Sequence, residues 1–465
     1  EISVCDWSSD VCSSDLVGLI TAFLYIIGYF RRIHWNLVDG LVLIILAYSM
    51  VRLTFQEAIP HTAWVQLIFF GGMYFTGRIL FRQLNRIAIP WLLTGFLWGG
   101  IAQALYGLGQ LYEIWPSHHA AFPVTGSFFN PGPYSGWLAC LIPMAIWILF
   151  NKRSQDTIDR LARISAWTYL FLGGGVLISA FSRAAWLAGA AGSLVVLWPH
   201  IRTYLLPSGQ RFNRTLPVVG AFLVILLSAL YFFKKDSADG RLLIWSASMD
   251  MVSDYPLFGV GWDRFKVMYP RYQAYYFDNG RGSERQAYLA GYEEYPFNEV
   301  LGWTLEMGLA GLILILVLGV VLVKRLVPIF KSSTSSPVHL LVLSILSTWL
   351  VFSLFSYPTE VPVLAITGVF AFSALITVTP NLNDIRNSLS LRFVNGIILS
   401  FLLFSSMYSI YWLRSNHSIV EDWKLANSYF QSGHYQVANS KYITLYPALK
   451  NEGQFLQFAG KSMSL

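Results

Sequence analysis

Three stretches of a largely apolar chain place charged residues where charge is costly. In SAFSRAAWLAG, Arg183 stands between two apolar segments with almost no loop around it. Its guanidinium is always charged, so at a membrane edge it requires an anion, and a lipid phosphate or a substrate phosphate would serve. In DSADGRLLIWSASMDMVSDYPLFGVGWDRF, Gly240 and Arg241 open an expected helix that Ser237 or Asp239 could cap, with Trp245 and Met249 on the Arg241 face. Gly259 and Gly261, after Pro256, suit a turn where backbones approach closely. Such a Gly-x-Gly has no strand context and does not make a dinucleotide site. In YEEYPFNEVLGWTLEMGLAGLILIL, Asn298 and Glu299 mark the return to apolar sequence, followed by Glu306, Gly308 and Gly311. A Gly-x-x-Gly pair in an apolar helix predicts close helix packing, and the N-terminal half of a helix favours a carboxylate such as Glu306.

The elements that carry these residues are membrane spans. Of 465 residues, 55% are hydrophobic, 16% aromatic and only 12% charged, against about 25% charged in a soluble domain; the mean hydropathy is +0.52. Twelve apolar segments are expected, at 17–30, 37–55, 62–77, 87–111, 132–150, 164–181, 183–199, 216–233, 299–323, 338–356, 362–378 and 392–413. Those of 17 residues or more are each long enough to cross a hydrocarbon core of about 30 Å, and a β-barrel would instead show short alternating segments. The fold class expected is therefore all-α and polytopic. Arg31 and Arg32, Arg78, Arg82 and Arg86, the stretch NKRSQDTIDRLAR, Arg202, Arg211 and Arg214, Lys324, Arg325 and Lys331, and Arg386 and Arg392 fall on one side. The positive-inside rule makes that side cytoplasmic. The long connection 234–298 and the segments 112–131 and 357–361 fall on the other, and Arg183 lies there against the trend.

Both ends of the chain differ from the spans between them. The opening EISVCDWSSDVCSSDL has no basic start or apolar run, so it is not a secretory signal. Its C-x6-C has no further ligand and is not a zinc spacing. DWSSDVCSSDL resembles the translation of a sequencing-library adapter, so residues 1–16 are expected to carry no function. Without Glu1, Asp6, Asp10 and Asp15 the formal charge rises from +7 to +11. One cysteine then remains, Cys140 inside an apolar segment, a packing residue rather than half of a disulfide. On this orientation the first span begins outside, with an odd number of helices expected before it, and the tail after Leu413 emerges outside. In 414–465, Ala426, Tyr429, Phe430, Gly433, Tyr435, Ala438, Tyr442 and Pro447 have the spacing of a helical hairpin and resemble one tetratricopeptide unit.

Together, GSFFNPGPYSGWLA, SRAAWLAG, GRLLIWSASMDMVSDYPLFGVGWDRF, FNEVLGWTLEMGLAG and SLFSYPTEVPVLAITG resemble the O-antigen ligase and polymerase superfamily of bacterial membrane glycosyltransferases, over about residues 126–378. The resemblance implies an enzyme of the bacterial inner membrane, with residues 17–413 as its membrane domain and 234–298 as a large periplasmic loop. It implies transfer of a glycan from an undecaprenyl-pyrophosphate carrier to an acceptor at the periplasmic face. The acceptor would be lipid A core, a growing polysaccharide or a protein. No cofactor or metal is implied, and the absence of a DxD or His-rich cluster on the outer face agrees. Membrane lipids are expected partners and nucleic acid is not. By the same resemblance Arg183 and Arg241 gather the charge developing on the pyrophosphate, with Arg264 and Lys266 as auxiliaries and Asn298 and Trp245 in the substrate site. Ligases of the family carry a histidine before the asparagine, thought to activate the acceptor; here that position is Phe297. The base must then come from Glu299, Glu294 or Glu293, or from His118 or His119, with Glu299 preferred, unless the acceptor needs little activation or this branch has other chemistry. A second reading is a non-catalytic transporter or assembly protein that binds lipid-linked glycans.

Overall fold

The computed structural model describes residues 35–55, 61–84, 88–119, 122–151, 157–205, 231–232, 234–331, 337–379, 418–419, 421–430, 432–450 and 453–464. The opening sixteen residues and the expected spans 17–30 and 392–413 lie outside these, as does most of 216–233. Among the described residues there is no β-strand, only an isolated bridge between His119 and Phe122.

The helices of the membrane domain follow the apolar segments. They are α1 (Leu37–Thr54), α2 (His61–Gln83), α3 (Ala88–Leu111), α4 (Pro131–Phe150), α5 (Thr157–Ser179), α6 (Arg183–Leu205), α10 (Glu299–Lys331), α11 (Pro337–Ser353) and α12 (Pro362–Val378). Between α6 and α10 lie α7 (Lys235–Asp254), α8 (Phe265–Asp278) and α9 (Glu284–Leu289). Six described helices, α1, α3, α4, α5, α6 and α10, are long and apolar enough to cross a membrane, and α11 and α12 are shorter apolar helices. The chain is an all-α polytopic membrane protein.

The core sits around α4, the most enclosed of these helices. Tyr134, Leu138 and Leu141 pack there with Leu97 of α3, Tyr169 of α5, Ala185 of α6 and Phe352 of α11. With lipid outside, close packing rather than the hydrophobic effect holds such helices together. Gly192 of α6 shows the tolerance: a Cβ there would stand 2.6 Å from the Ser344 carbonyl oxygen of α11.

A buried ion pair joins α1 to α2. Asn36 and Asp39 form a reciprocal capping box at the start of α1. Asp39, with no exposed surface, also accepts from Tyr74 (2.7 Å) and from Arg78 Nε and Nη2 (3.0 and 3.2 Å). Arg78 Nη1 donates to Thr377 of α12 at 2.9 Å. Arg78 therefore acts as a tether between helices, not as a solvated loop charge.

Helix α10 is interrupted. Gly308 has φ 66° and ψ −172°, and the backbone groups released there are taken by the 256–261 turn. Val260 N donates to the Leu305 carbonyl (2.7 Å) and Gly261 N to that of Glu306 (3.1 Å). In return Leu309 N donates to the Pro256 carbonyl (2.9 Å) and Ala310 N to that of Leu257 (3.1 Å). Gly259, at φ 67°, faces Gly308, and a Cβ on either would lie within 2.6 Å of the other's backbone nitrogen. Helix α1 braces the joint: Tyr48 OH donates to the Met307 carbonyl (2.6 Å) and Arg52 Nη2 to that of Gly259 (3.1 Å). The Gly308 position is thus a docking break rather than the helix-packing site expected from Gly-x-x-Gly. Gly311 does pack closely: a Cβ there would stand 3.3 Å from the Tyr48 ring.

In the tail, α13 (Tyr435–Leu449) and α14 (Gly453–Met463) share a core with the helical segment 421–430. Trp423, Ala426, Ala438, Tyr442 and Phe455 fill it, and Gly433 makes the turn at φ 78°.

Removing one partner of the Asp39–Arg78 pair leaves a buried charge. Asp39→Ala should therefore destabilise the protein by about 3–5 kcal/mol. The Asp39→Ala/Arg78→Ala double variant should cost less than the two single variants summed, as read by thermal unfolding in detergent.

Candidate active site

Three cations converge where α6 and α7 begin. The chain turns at Phe181, which has φ 49°, and Arg183 starts α6. Its Nη1 donates to the Tyr231 carbonyl at 3.3 Å. Lys234 lies one residue before α7, donates to the Phe181 carbonyl at 3.4 Å and rests over the Phe122 ring at 5.1 Å. Arg241, further along α7, has its guanidinium over the Phe297 ring at 5.5 Å. Burial and the charges of Arg183 and Arg241 hold the Lys234 pKa below the usual lysine value. Burial and the charge of Arg183 likewise push Arg241 down, with Tyr357 and Glu293 opposing. Among the described residues Lys234 and Arg241 make no ion pair. By contrast, Arg281 and Arg285 of the same connection are matched to Asp250 and Asp236. Mutually repelling cations at two helix N-termini are chemically suited to a multiply charged anion.

The expected helix start at Gly240 moves back to Lys235, which places Ser237 and Asp239 inside α7. No side chain caps this helix, and Asp239 instead accepts from Tyr231 OH at 2.6 Å. Trp245, one turn beyond Arg241, donates to the Pro296 carbonyl at 2.8 Å and so fixes the segment bearing Phe297. Phe297 itself has φ 52°, a costly backbone state for a bulky residue. Its ring meets Tyr357 edge-on at 5.3 Å, and Tyr357 stacks on Tyr295 at 4.1 Å.

This aromatic wall borders a pocket of opposite character. Asp263, Glu294, Glu299, Glu306 and Glu360 line it, with Trp262, Tyr295, Trp303 and Tyr357. The carboxylates are largely engaged. Glu299 is buried and accepts from Thr359 N (2.8 Å) and Oγ1 (2.5 Å). Glu306 accepts from Asp263 N (3.0 Å), and Glu360 from Gln66 (3.0 Å). Lys266 pairs with Asp263 at 2.9 Å and acts on Glu360, which places it on this side rather than with the arginines. Arg264 sits just before α8, and its backbone carbonyl accepts from Met268 N. Asn298 accepts from Leu301 N through Oδ1 (3.0 Å), so it caps the start of α10.

The structure thus brings together Arg183 and Arg241 and adds Lys234, which the sequence reading passed over. Its signal was available: FFKKD places two lysines directly after the apolar segment 216–233, on the side opposite the basic connections. Glu299 faces Thr359, on a segment whose proximity no local spacing reveals.

Burial, then Asp263 and Glu299, push the Glu360 carboxyl up to about 8, against Lys266 and the Gln66 hydrogen bond. The folded protein holds that proton more tightly than the unfolded chain, so stability falls as pH rises from about 4.5 to 8. Glu360→Gln should raise the melting temperature above pH 8 and change it little below pH 4.5.

Residues 168–316 match a family model described as O-antigen ligase. No curated protein matches the chain. The matched interval contains Arg183, Lys234, Arg241, Phe297 and the interrupted stretch of α10. Over residues 168–316 the chain is similar to the O-antigen ligase family, which supports a glycosyltransferase-like enzyme of the membrane.

Proposed function

We propose that this enzyme moves a glycan from an undecaprenyl-pyrophosphate carrier to an acceptor at the periplasmic face of the inner membrane. The acceptor would be lipid A core, a growing polysaccharide or a protein. The observation that carries this reading is the convergence of Arg183, Lys234 and Arg241, the last two without ion pairs among the described residues. A diphosphate beside a polyprenyl chain is the anion that suits three cations at a membrane edge.

In the reaction an acceptor hydroxyl attacks the anomeric carbon from the face opposite the diphosphate, and inversion results. The bond to the diphosphate oxygen breaks and its electron pair stays with the leaving group. The three side chains oppose that gain of charge, so the chain's own cations rather than a metal stabilise the departing diphosphate. Trp245 and Phe297 fix where Arg241 points. On the positive-inside reading the 234–298 connection and the tail 414–465 share the periplasmic face, where a tetratricopeptide-like hairpin would meet the acceptor or its carrier protein.

The transporter reading gains one observation, the interrupted α10, since discontinuous helices frame transport sites. The released groups at Gly308 are, however, occupied by the 256–261 backbone. The break holds a loop in place, and the enzyme reading stands.

Arg183→Ala, Lys234→Ala and Arg241→Ala should each lower glycan transfer by about 10²–10³-fold, the scale of losing one charge-stabilising group. Membrane insertion should be unchanged. The readout is release of undecaprenyl pyrophosphate from lipid-linked glycan, and wild-type rates in the arginine variants would remove their assigned role.

A further inference from the structure

The acidic cavity beside the aromatic wall has no part in holding the diphosphate. It is formed by the start of α10, the α11–α12 connection and the turn at 262–263, and it holds about 580 Å³, within the range of small-ligand sites. None of Arg183, Lys234 and Arg241 lines it. Two ring contacts stand between: Arg241 rests on Phe297 at 5.5 Å, and Phe297 meets Tyr357, which lines the cavity, at 5.3 Å. A ligand in the cavity is therefore a neighbour of the leaving-group site and does not share its cations.

The polar groups of the cavity are left incomplete by the protein. Ser356 is only 4% exposed, lines the cavity, and makes no hydrogen bond among the described residues. A buried hydroxyl in that state costs free energy until a partner completes it. Glu299, 6% exposed, gives Oε1 to both Thr359 donors and leaves Oε2 without a hydrogen bond among the described residues. Glu306 and Glu360 likewise commit one oxygen each, to the Asp263 amide and to Gln66. The Trp303 indole N–H and the Tyr357 hydroxyl also make no hydrogen bond among the described residues.

Unspent donors and acceptors set among aromatic surface are the complement of a sugar, whose hydroxyls meet the polar groups and whose C–H faces meet the rings. A metal ion fits less well. Among the described residues no group of three or more acidic, histidine or cysteine side chains is placed to hold one. Glu360, pushed up to about 8 by burial and by Asp263 and Glu299, keeps its proton near pH 7 and so offers an O–H as well as an oxygen. That suits a neutral polyol better than an organic cation.

Resting on the transferase reading above, we infer that this cavity seats the acceptor, and that the acceptor unit it holds is a neutral sugar, set against Trp303 and hydrogen-bonded to Ser356 and Glu299 Oε2. The assignment narrows the acceptor to a glycan, whether lipid A core or a growing polysaccharide, and removes the bare side chain of a protein.

The test reads binding and transfer separately, on purified full-length protein in nanodiscs. Binding is read without donor, by saturation-transfer NMR, with methyl glucoside, methyl galactoside and N-acetylglucosamine as probes and choline as the cationic control. Transfer is read with undecaprenyl-pyrophosphate-linked glycan and acceptor extracted from the source bacterium's own membranes. Ser356→Ala should leave the melting temperature unchanged or slightly raised, because the hydroxyl it removes is unpaired. It should nevertheless weaken sugar binding and raise the acceptor KM by about three- to tenfold, the scale of one hydrogen bond, with the donor KM unchanged. A purely structural serine would show neither change. Trp303→Phe, which keeps a ring against the helix core, should act in the same direction. Arg241→Ala should lose transfer and bind the sugars as wild type does.

The inference is overturned if the neutral sugars give no saturation transfer with wild type, or if choline alone does. It is equally overturned by an acceptor KM within twofold of wild type in both Ser356→Ala and Trp303→Phe. Either result leaves the transferase reading intact. Wild-type protein that transfers no more glycan than Arg241→Ala overturns the transferase reading itself, whatever the cavity binds.

Discussion

The interruption of α10 at Gly308 is the constraint on which the rest of the site depends. A helix in the bilayer cannot leave backbone groups open, because no water is present to satisfy them. Here the open groups are closed by the 256–261 turn, in a short ladder of four backbone hydrogen bonds. That ladder fixes the start of α10 against the connection that carries Arg241. Within this stretch Asn298 caps the start of α10 and Glu306 returns to the Asp263 amide. Two glycines make it possible, because each stands where the other's Cβ would be.

Two electrostatic compartments meet at the surface this joint creates. One side gathers Arg183, Lys234 and Arg241, and the other gathers carboxylates around Trp262 and Trp303. The Tyr295, Tyr357 and Phe297 rings stand between them. Such a partition suits chemistry that separates charge across a single bond. On the proposed function, the leaving group would depart toward the cations.

Much of the architecture was legible because it follows from local pattern. The apolar segments 37–55, 87–111, 132–150 and 362–378 became helices with ends displaced by a residue or so, since length and hydropathy alone decide a span. Arg183 and Arg241 were legible as misplaced charges. What escaped depended on distant partners. Glu299 looked available until Thr359 met it, and Gly308 looked like a packing glycine until the 256–261 turn filled the gap beside it. Arg78 read as a cytoplasmic marker, yet Asp39 and Thr377 claim it from two other helices. Helix α7 began earlier than its cap-like residues suggested, because Asp239 is used by Tyr231 instead. Arg52, basic at the loop-bearing end of α1, carried a signal of the same kind as Arg183, and its role in bracing Gly259 appears only in three dimensions.

The α10 joint also bears on how the protein is made. The 256–261 turn precedes α10 in the chain, so it has left the ribosome before the segment it completes. A turn that arrives first can receive the interrupted helix as that helix enters the bilayer, and the exposed backbone at Gly308 need never wait in lipid. Placed after α10, the same four bonds would leave the break unfilled until later synthesis. The order of the two glycine elements along the chain therefore suits insertion of the nascent protein as well as the finished site.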